Sequence, residues 1–308
     1  MEIEFYDELL AEFANNEHMY LHFKKLILDI DKDITEWNKS DVNNFLFGLR
    51  STSQNSLNRY LRSLRYIHEY SCKKKNIPYT PLKPSFTIKT YIDYPKLRSQ
   101  IITYEDYIFI RNELDFYLDG ELRNVRDKVI FELAWEGLSA TEIKHLKETD
   151  IEFIDDKIKI QLQKRVIWIT DPIVVLDIKR CLNEIQYYQI NSTGVIKKYN
   201  YKPTKYLIKP IEIRSDMFYK QTAEVTMIFG KIVKKLSLDI GRKSKDWDGT
   251  EHDLDIEALT IKNIRRSKMI YLLQFKYITA KGIQEIFGKR QWKDISWLTE
   301  ISRKVYGE

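Results

Sequence analysis

Apolar positions along the chain change their period twice. Over the first 76 residues they recur every three or four positions, the spacing that gives a helix one buried face. FYDELLAEF and YLHFKKLILDI read as two such helices. In ITEWNKSDVNNFLFGL, Ser40 is expected to cap a helix starting at Asp41 that turns Phe45, Leu46 and Leu49 inward. A longer helix follows in SLNRYLRSLRYIHEYSCKKK. At about 100° per residue, Leu57, Tyr60, Leu61, Leu64, Ile67 and His68 share one side and Arg59, Arg62 and Arg65 the other. NIPYTPLKPSF, with Pro78, Pro81 and Pro84, breaks this pattern and reads as an extended linker.

A second helical stretch opens near Ile101. Thr103 is expected to cap a helix running through YEDYIFIRNELDF, and further helices are expected in RNVRDKVIFELAWEGL and IKHLKETD. The period then drops to two. IEFIDDKIKIQLQKRVIWIT reads as short strands with turns at Asp155-Asp156 and near Gln163-Lys164. Helical spacing returns in DPIVVLDIKRCLNEIQYY. Residues 190–220, rich in tyrosine and lysine, read as irregular, and GRKSKDWDGTEHDLD as a loop between QTAEVTMIFGKIVKKLSLDI and the last helices. The expected architecture is mainly α with a small antiparallel β-sheet. It has three parts: a helical domain over 1–77, a linker over 78–100, and a second domain over 101–308.

Composition sharpens this picture in two respects. At 308 residues the chain can form two cores, and 43% hydrophobic residues with mixed charge is typical of a globular protein. Charge is unevenly spread: the net +6 conceals an acidic first 50 residues and two basic segments, 51–98 and 262–308. Two basic segments on an otherwise neutral-to-acidic chain suit two phosphate-facing surfaces. Cys72 and Cys181 are far apart, which excludes a disulfide framework and a zinc site and fits a reducing compartment. No apolar run reaches the length of a membrane span, and the acidic start MEIEFYDELL is unlike a targeting peptide.

Other chemistry finds little support. His18 and His22 stand at i, i+4 without a third metal ligand, and the acidic stretch from Asp246 to Glu257 has its glycine misplaced for a calcium loop. GRKSK lacks the upstream glycine of a phosphate-binding loop, and His145 and His252 join no nucleophilic triad. No cofactor is implied.

The order of elements resembles the tyrosine recombinase, or phage integrase, family. The N-terminal stretch from Ile34 to Ile77 is similar to that family's helical, SAM-like core-binding domain. RDKVIFELAWEGLSATEIKHLKETDIEFIDDKIKI is similar to the start of its catalytic domain. The resemblance implies a chemistry in which a tyrosine attacks a DNA phosphodiester. Two arginines and a histidine or lysine stabilise the phosphorane, and a hairpin lysine protonates the leaving hydroxyl. Matched position by position, Ser139 stands where the first arginine belongs. Lys164, next to Arg165, corresponds to the hairpin lysine. Lys262 and Arg265 match the histidine-or-lysine, x, x, arginine motif, and Lys289 follows Gly288 in place of histidine. Ser296 to Thr299 occupy the usual neighbourhood of the nucleophile. Tyr306, seventeen residues past Lys289, is the only tyrosine beyond it.

The resemblance therefore implies a scaffold that binds double-stranded DNA without cutting it, used for transcriptional repression such as the maintenance of lysogeny in SPβ-type phages. The residues expected to meet DNA are Asn58, Arg59, Arg62, Arg65, Lys73, Lys74 and Lys75 in the first domain. In the second they are Lys164, Lys262, Arg265, Arg266, Lys289 and Arg290. The implied setting is the nucleoid of a bacterial cytoplasm, with homo-oligomers on DNA and a protein antagonist or co-regulator as further partners. Two alternatives stay open: an active recombinase with Tyr306 as a displaced nucleophile, and a non-catalytic module regulating another recombinase.

Overall fold

The computed structural model describes residues 32–191, 193–211, 224–237, 241–275, 278–288 and 296–307. The two helices expected before residue 32, and with them His18 and His22, lie outside these residues. So do Lys289 and Arg290. The chain divides into two compact units, Met1–Leu97 and Arg98–Glu308.

In the first unit a 3₁₀ turn, Ile34–Glu36, precedes helices α1 (Lys39–Gly48) and α2 (Gln54–Lys74). The cap of α1 is Asn38, not Ser40. Its side chain accepts from the Ser40 and Asp41 amides, and the Asp41 carboxylate accepts from the Asn38 amide at 2.8 Å. The reciprocal partner decides this. Three residues past Asn38 stands a carboxylate, whereas three past Ser40 stands Asn43, whose amide group donates to Ser85 Oγ. Leu57, Leu61, Leu64 and Ile67 of α2 are buried against Ile34, Val42 and Leu46, as their spacing predicts. Each such aliphatic side chain contributes roughly 1.5–3 kcal/mol.

The proline-rich stretch is not a free linker. Leu82 and Tyr91 enter the same core, Arg65 Nε donates to the Leu82 carbonyl at 2.8 Å, and the Ser85 amide donates to Asn43 at 2.9 Å. Prolines set an extended backbone here, but two apolar side chains fold it back onto α1 and α2. A short helix, α3 (Tyr94–Arg98), ends at the unit boundary.

The second unit is built on α5 (Val125–Trp135), which is buried almost all round and packs against α7 (Pro172–Asn183), α8 (Val225–Ser237) and α9 (Ile261–Leu273). A helix buried on every side belongs at the centre of its domain. Ahead of it, α4 (Tyr104–Glu113) is capped by Thr103 in a reciprocal box with Asp106, as predicted, and Tyr107 stacks on Trp135 with ring centroids 4.3 Å apart. A short helix α6 (Ala140–His145) leads to the predicted sheet, an antiparallel meander of β3 (Ile151–Ile154), β4 (Lys157–Leu162) and β5 (Arg165–Ile169). The last helices are α10 (Ala280–Phe287) and α11 (Ser296–Tyr306). Among the described residues no helix is long and apolar enough to cross a membrane.

Three hairpins were not expected. β1 (Phe116–Leu118) and β2 (Glu121–Arg123) end the helix that should have continued through Phe116. Asp119 and Gly120 between them both have positive φ, the geometry of a two-residue hairpin turn. β6 (Gln186–Ile190) and β7 (Ile196–Asn200) occupy part of the stretch read as helical and irregular. β8 (Lys243–Lys245) and β9 (Glu251–Asp253) replace the loop expected from Gly241 to Asp255.

Candidate functional site

The segment WEGLS makes a tight corner between two helices. At the end of α5 the Gly137 amide donates to the Ala134 carbonyl at 3.2 Å and the Leu138 amide to the Leu133 carbonyl at 2.9 Å. This is a Schellman ending, which places its glycine at positive φ. Gly137 has φ of 98°, and a Cβ there would come within 3.0 Å of the Phe287 ring. Two independent constraints thus hold this position to glycine. Two residues on, Ser139 caps α6: its hydroxyl accepts from the Glu142 amide, and the Glu142 carboxylate accepts from the Ser139 amide at 2.7 Å and hydroxyl at 2.8 Å.

The carbonyl of Gly137 is the hub of the site. It accepts from Arg165 Nη2 at 3.0 Å and from Arg265 Nε at 2.9 Å. Arg165, at the start of β5, also donates through Nε and Nη2 to Glu142 at 3.2 and 2.9 Å, and through Nη1 to the Ile286 carbonyl. Arg265, on α9, sends Nη2 to the Phe287 carbonyl at 3.1 Å. Gly288, in left-handed conformation at the end of α10, lies against the Arg165 side chain, whose Cδ would be 3.4 Å from a Cβ there. Strand β5 and helix α9 thus each supply an arginine to one backbone oxygen, and α6 and α10 hold those arginines through Glu142 and two carbonyls.

Two guanidinium groups and one carboxylate leave a single net positive charge in this cluster. Burial alone would raise the Glu142 carboxyl, but the Ser139 amide and hydroxyl, with Arg165 and Arg265, hold it below the ordinary glutamate value. It is therefore ionised at neutral pH. Burial lowers the Arg265 guanidinium, partly offset by Glu142 and reinforced by Arg165. An external anion reaching this pocket would have to replace Glu142 at the fork of Arg165.

Ser139 and Arg265 of the predicted set meet here. Arg165, considered only as a neighbour of Lys164, is the group sequence reasoning missed, along with Glu142. The pair Ser139 and Glu142 did carry a signal, the serine, x, x, glutamate spacing of a capping box. Lys164 is exposed in the turn between β4 and β5, and Lys262 is exposed in the first turn of α9. Arg266 turns inward with its guanidinium 5.8 Å from the Trp297 ring, and burial lowers its pKa. The Tyr306 hydroxyl is buried, without a hydrogen-bond partner among the described residues, and its ring meets Tyr271 edge-on at 5.9 Å. Burial, and then the charge of Glu105, push the phenol far above its usual range.

In the first unit Asn58, Arg59, Arg62 and Lys73 are exposed. Arg65 is committed to the Leu82 carbonyl, Lys75 pairs with Asp33, and Lys74 lies over the Tyr70 ring at 5.8 Å. The expected basic face is thus narrower than its sequence.

Comparison with known proteins agrees with this description. The chain has no match among curated proteins. Among solved structures it is similar to the Tn1549 transposon integrase in complex with circular intermediate DNA, at 17% identity and a TM-score of 0.52, covering 98% of this chain and 94% of that one. A variant of that integrase with transposon right end DNA gives 13% identity and a TM-score of 0.50, covering 100% of this chain and 90% of that one. A lambda integrase dimer bound to a COC' core site gives 12% identity and 0.48, covering 96% of this chain and 94% of that one. At such identities the likeness to the Tn1549 integrase is one of fold, and it bears out the mainly helical recombinase architecture expected from sequence. The family described as "MrpR, C-terminal catalytic domain" matches residues 108–298, from α4 into α11. This stretch holds the Gly137 hub and both of its arginines, and the chain belongs to that recombinase-like, integrase-like family.

Proposed function

We propose that this protein binds double-stranded DNA sequence-specifically and does not cut it, acting as a transcriptional repressor on an integrase scaffold. The observation that carries the reading is the Ser139–Glu142–Arg165 arrangement. Strand cleavage through a phosphotyrosine needs several cations turned toward one phosphate. Removing a single charge-stabilising donor in such a site lowers the rate about 100- to 1000-fold. Here a serine holds one arginine position, and the arginine that approaches it from β5 is neutralised by a carboxylate. Glu142 and a phosphate are both anions, so they compete for one guanidinium fork.

Tyr306 supports the same conclusion. A nucleophile must expose its oxygen, and this hydroxyl is buried. Its electrostatic neighbours are Glu105, Arg98 and Asp106, none of which contributes to the Gly137 hub. DNA binding is supported by the exposed cations Arg59, Arg62, Lys73, Lys164 and Lys262, and by the similar Tn1549 integrase, solved with DNA in both of its structures. Releasing counterions from phosphates needs cations but no nucleophile.

The test is retention of fragmented genomic DNA by the protein at physiological salt with excess nonspecific competitor, followed by sequencing. A shared short motif upstream of genes is the expected result. Retention without a common sequence would remove the repressor reading. In parallel, a nicked duplex should yield no covalent adduct, and an adduct abolished by Tyr306→Phe would replace this reading with an active recombinase.

A further inference from the structure

The hairpin β6–β7 has a rigid base and an unprotected tip. At its base the Arg126 guanidinium lies over the rings of Tyr187 and Tyr201, at 4.8 and 5.1 Å, and donates to Asp127 and to the Lys209 carbonyl. The Asn124 side chain bonds the Tyr188 backbone in both directions, at 2.7 and 2.8 Å, and Tyr187 donates to Asp127 at 3.1 Å. These interactions fix the direction in which the strands leave the domain. At the far end the cross-strand pair Ile190 and Ile196 is 51% and 45% exposed, and Val195 is 56% exposed.

Residues 185–211 contain five lysines and no aspartate or glutamate. Lys197 faces Gln189 and Lys198 faces Tyr188 across the ladder, so the two lysines project from opposite faces of the ribbon. Aliphatic side chains at a tip, with a cation on each flank, fit a cleft that has an apolar floor and two anionic walls. The major groove of duplex DNA is such a cleft. It is about 12 Å wide, admits a two-stranded ribbon, and displays thymine methyl groups between phosphate backbones. A second copy of this chain fits poorly, because two such arms would bring like charges together.

We infer that the β6–β7 hairpin is a DNA-binding arm that enters the major groove tip-first, Lys197 and Lys198 meeting the two phosphate walls and Ile190 and Ile196 the base edges. The inference rests on the DNA-binding reading above and names a surface that reading did not use.

The full chain and its Lys197→Gln/Lys198→Gln variant are titrated with the genomic fragment that the protein retains best, across about 50 to 200 mM salt. Both lysines are exposed, and an unchanged thermal melt verifies the fold of the variant. The expected result is a fall of about 1.8 in the slope of log affinity against log salt, about 0.9 for each phosphate that a lysine no longer neutralises. An unchanged slope, with tight binding by the parent chain, overturns the arm and leaves the DNA-binding reading intact. If the parent chain retains no DNA, that reading fails and the arm with it. Ile190→Ser/Ile196→Ser should weaken DNA binding about tenfold at constant slope. Undiminished DNA affinity together with a loss of self-association in sedimentation would make the tip a protein-binding surface and overturn the inference.

Discussion

Glu142 holds the guanidinium of Arg165 through its Nε and Nη2 atoms while it completes the cap of Ser139, so one carboxylate both starts a helix and neutralises the nearest arginine. Glu142→Gln separates these roles. Glutamine serves the capping position as glutamate does, but it carries no charge, and Arg165 gains a free positive charge. The salt slope of DNA binding should become steeper by about 0.9, the value of one neutralised phosphate. Salt titrations of the two proteins check this, and superimposable slopes would mean that Arg165 lies outside the DNA surface. A pH effect accompanies it. The Glu142 carboxyl is held below its ordinary value, so its contribution to stability is present at neutral pH and is lost as pH falls through the depressed value. The variant should lack this part of the acid limb.

Restoring the arginine should not restore a reaction. Ser139→Arg removes the cap of α6, at a cost of about 1 kcal/mol, and brings a third guanidinium toward Arg165 and Arg265. The melting temperature should fall, and a nicked duplex should still give no covalent adduct, because the Tyr306 hydroxyl remains buried. Denaturing gel electrophoresis of the reaction decides the point. Adduct formation would place a nucleophile within reach of the hub.

The helices and the meander β3–β5 were legible because the apolar period is sustained over many residues in each. The hairpins β1–β2 and β8–β9 have strands of three residues, too short for alternation to register. Their signal lay in the turns, Asp119-Gly120 and Asp248-Gly249, a pair that favours hairpin geometry. The site was legible only in part. Ser139 and Arg265 stand in recognisable motifs, but nothing local shows that Arg165 reaches across 23 positions to Glu142. Lys164 and Arg165 are adjacent and both cationic, and only the tertiary packing of β5 against α10 separates an exposed turn lysine from a buried hub arginine.

The arginines of α2 divide in the same way. Arg65 donates to the Leu82 carbonyl and pins the proline-rich stretch, whereas Arg59 and Arg62 are exposed. Arg65→Ala should destabilise the first unit by roughly 1.5–3 kcal/mol, the contribution of a charged hydrogen bond, and lower its melting temperature. Arg59→Ala and Arg62→Ala should leave it in place and each reduce the salt slope of DNA binding by about 0.9. Equal thermal effects at all three positions would remove the distinction.

Glu132 sets a limit on stability at high pH. It is fully buried in α5, beside the carboxylate of Asp177 and the cations of Lys128 and Arg111. Burial, then the charge of Asp177, raise its pKa well above the ordinary value, with Lys128 and Arg111 opposing. Asp177 itself is engaged by Lys128 at 2.9 Å and Arg180 at 3.3 Å. The folded chain therefore keeps a proton on Glu132 at pH values where the unfolded chain has released it. In that window the native state binds more protons, so stability declines as pH rises from the ordinary glutamate value toward the raised one. Glu132→Gln keeps the shape and removes the titration. Its melting temperature should match the parent near pH 4, where both side chains are neutral, and exceed it as pH rises above the ordinary glutamate value. Thermal melts across that range test the assignment. A difference that does not change with pH would mean that Glu132 has the same protonation in the folded and unfolded chain.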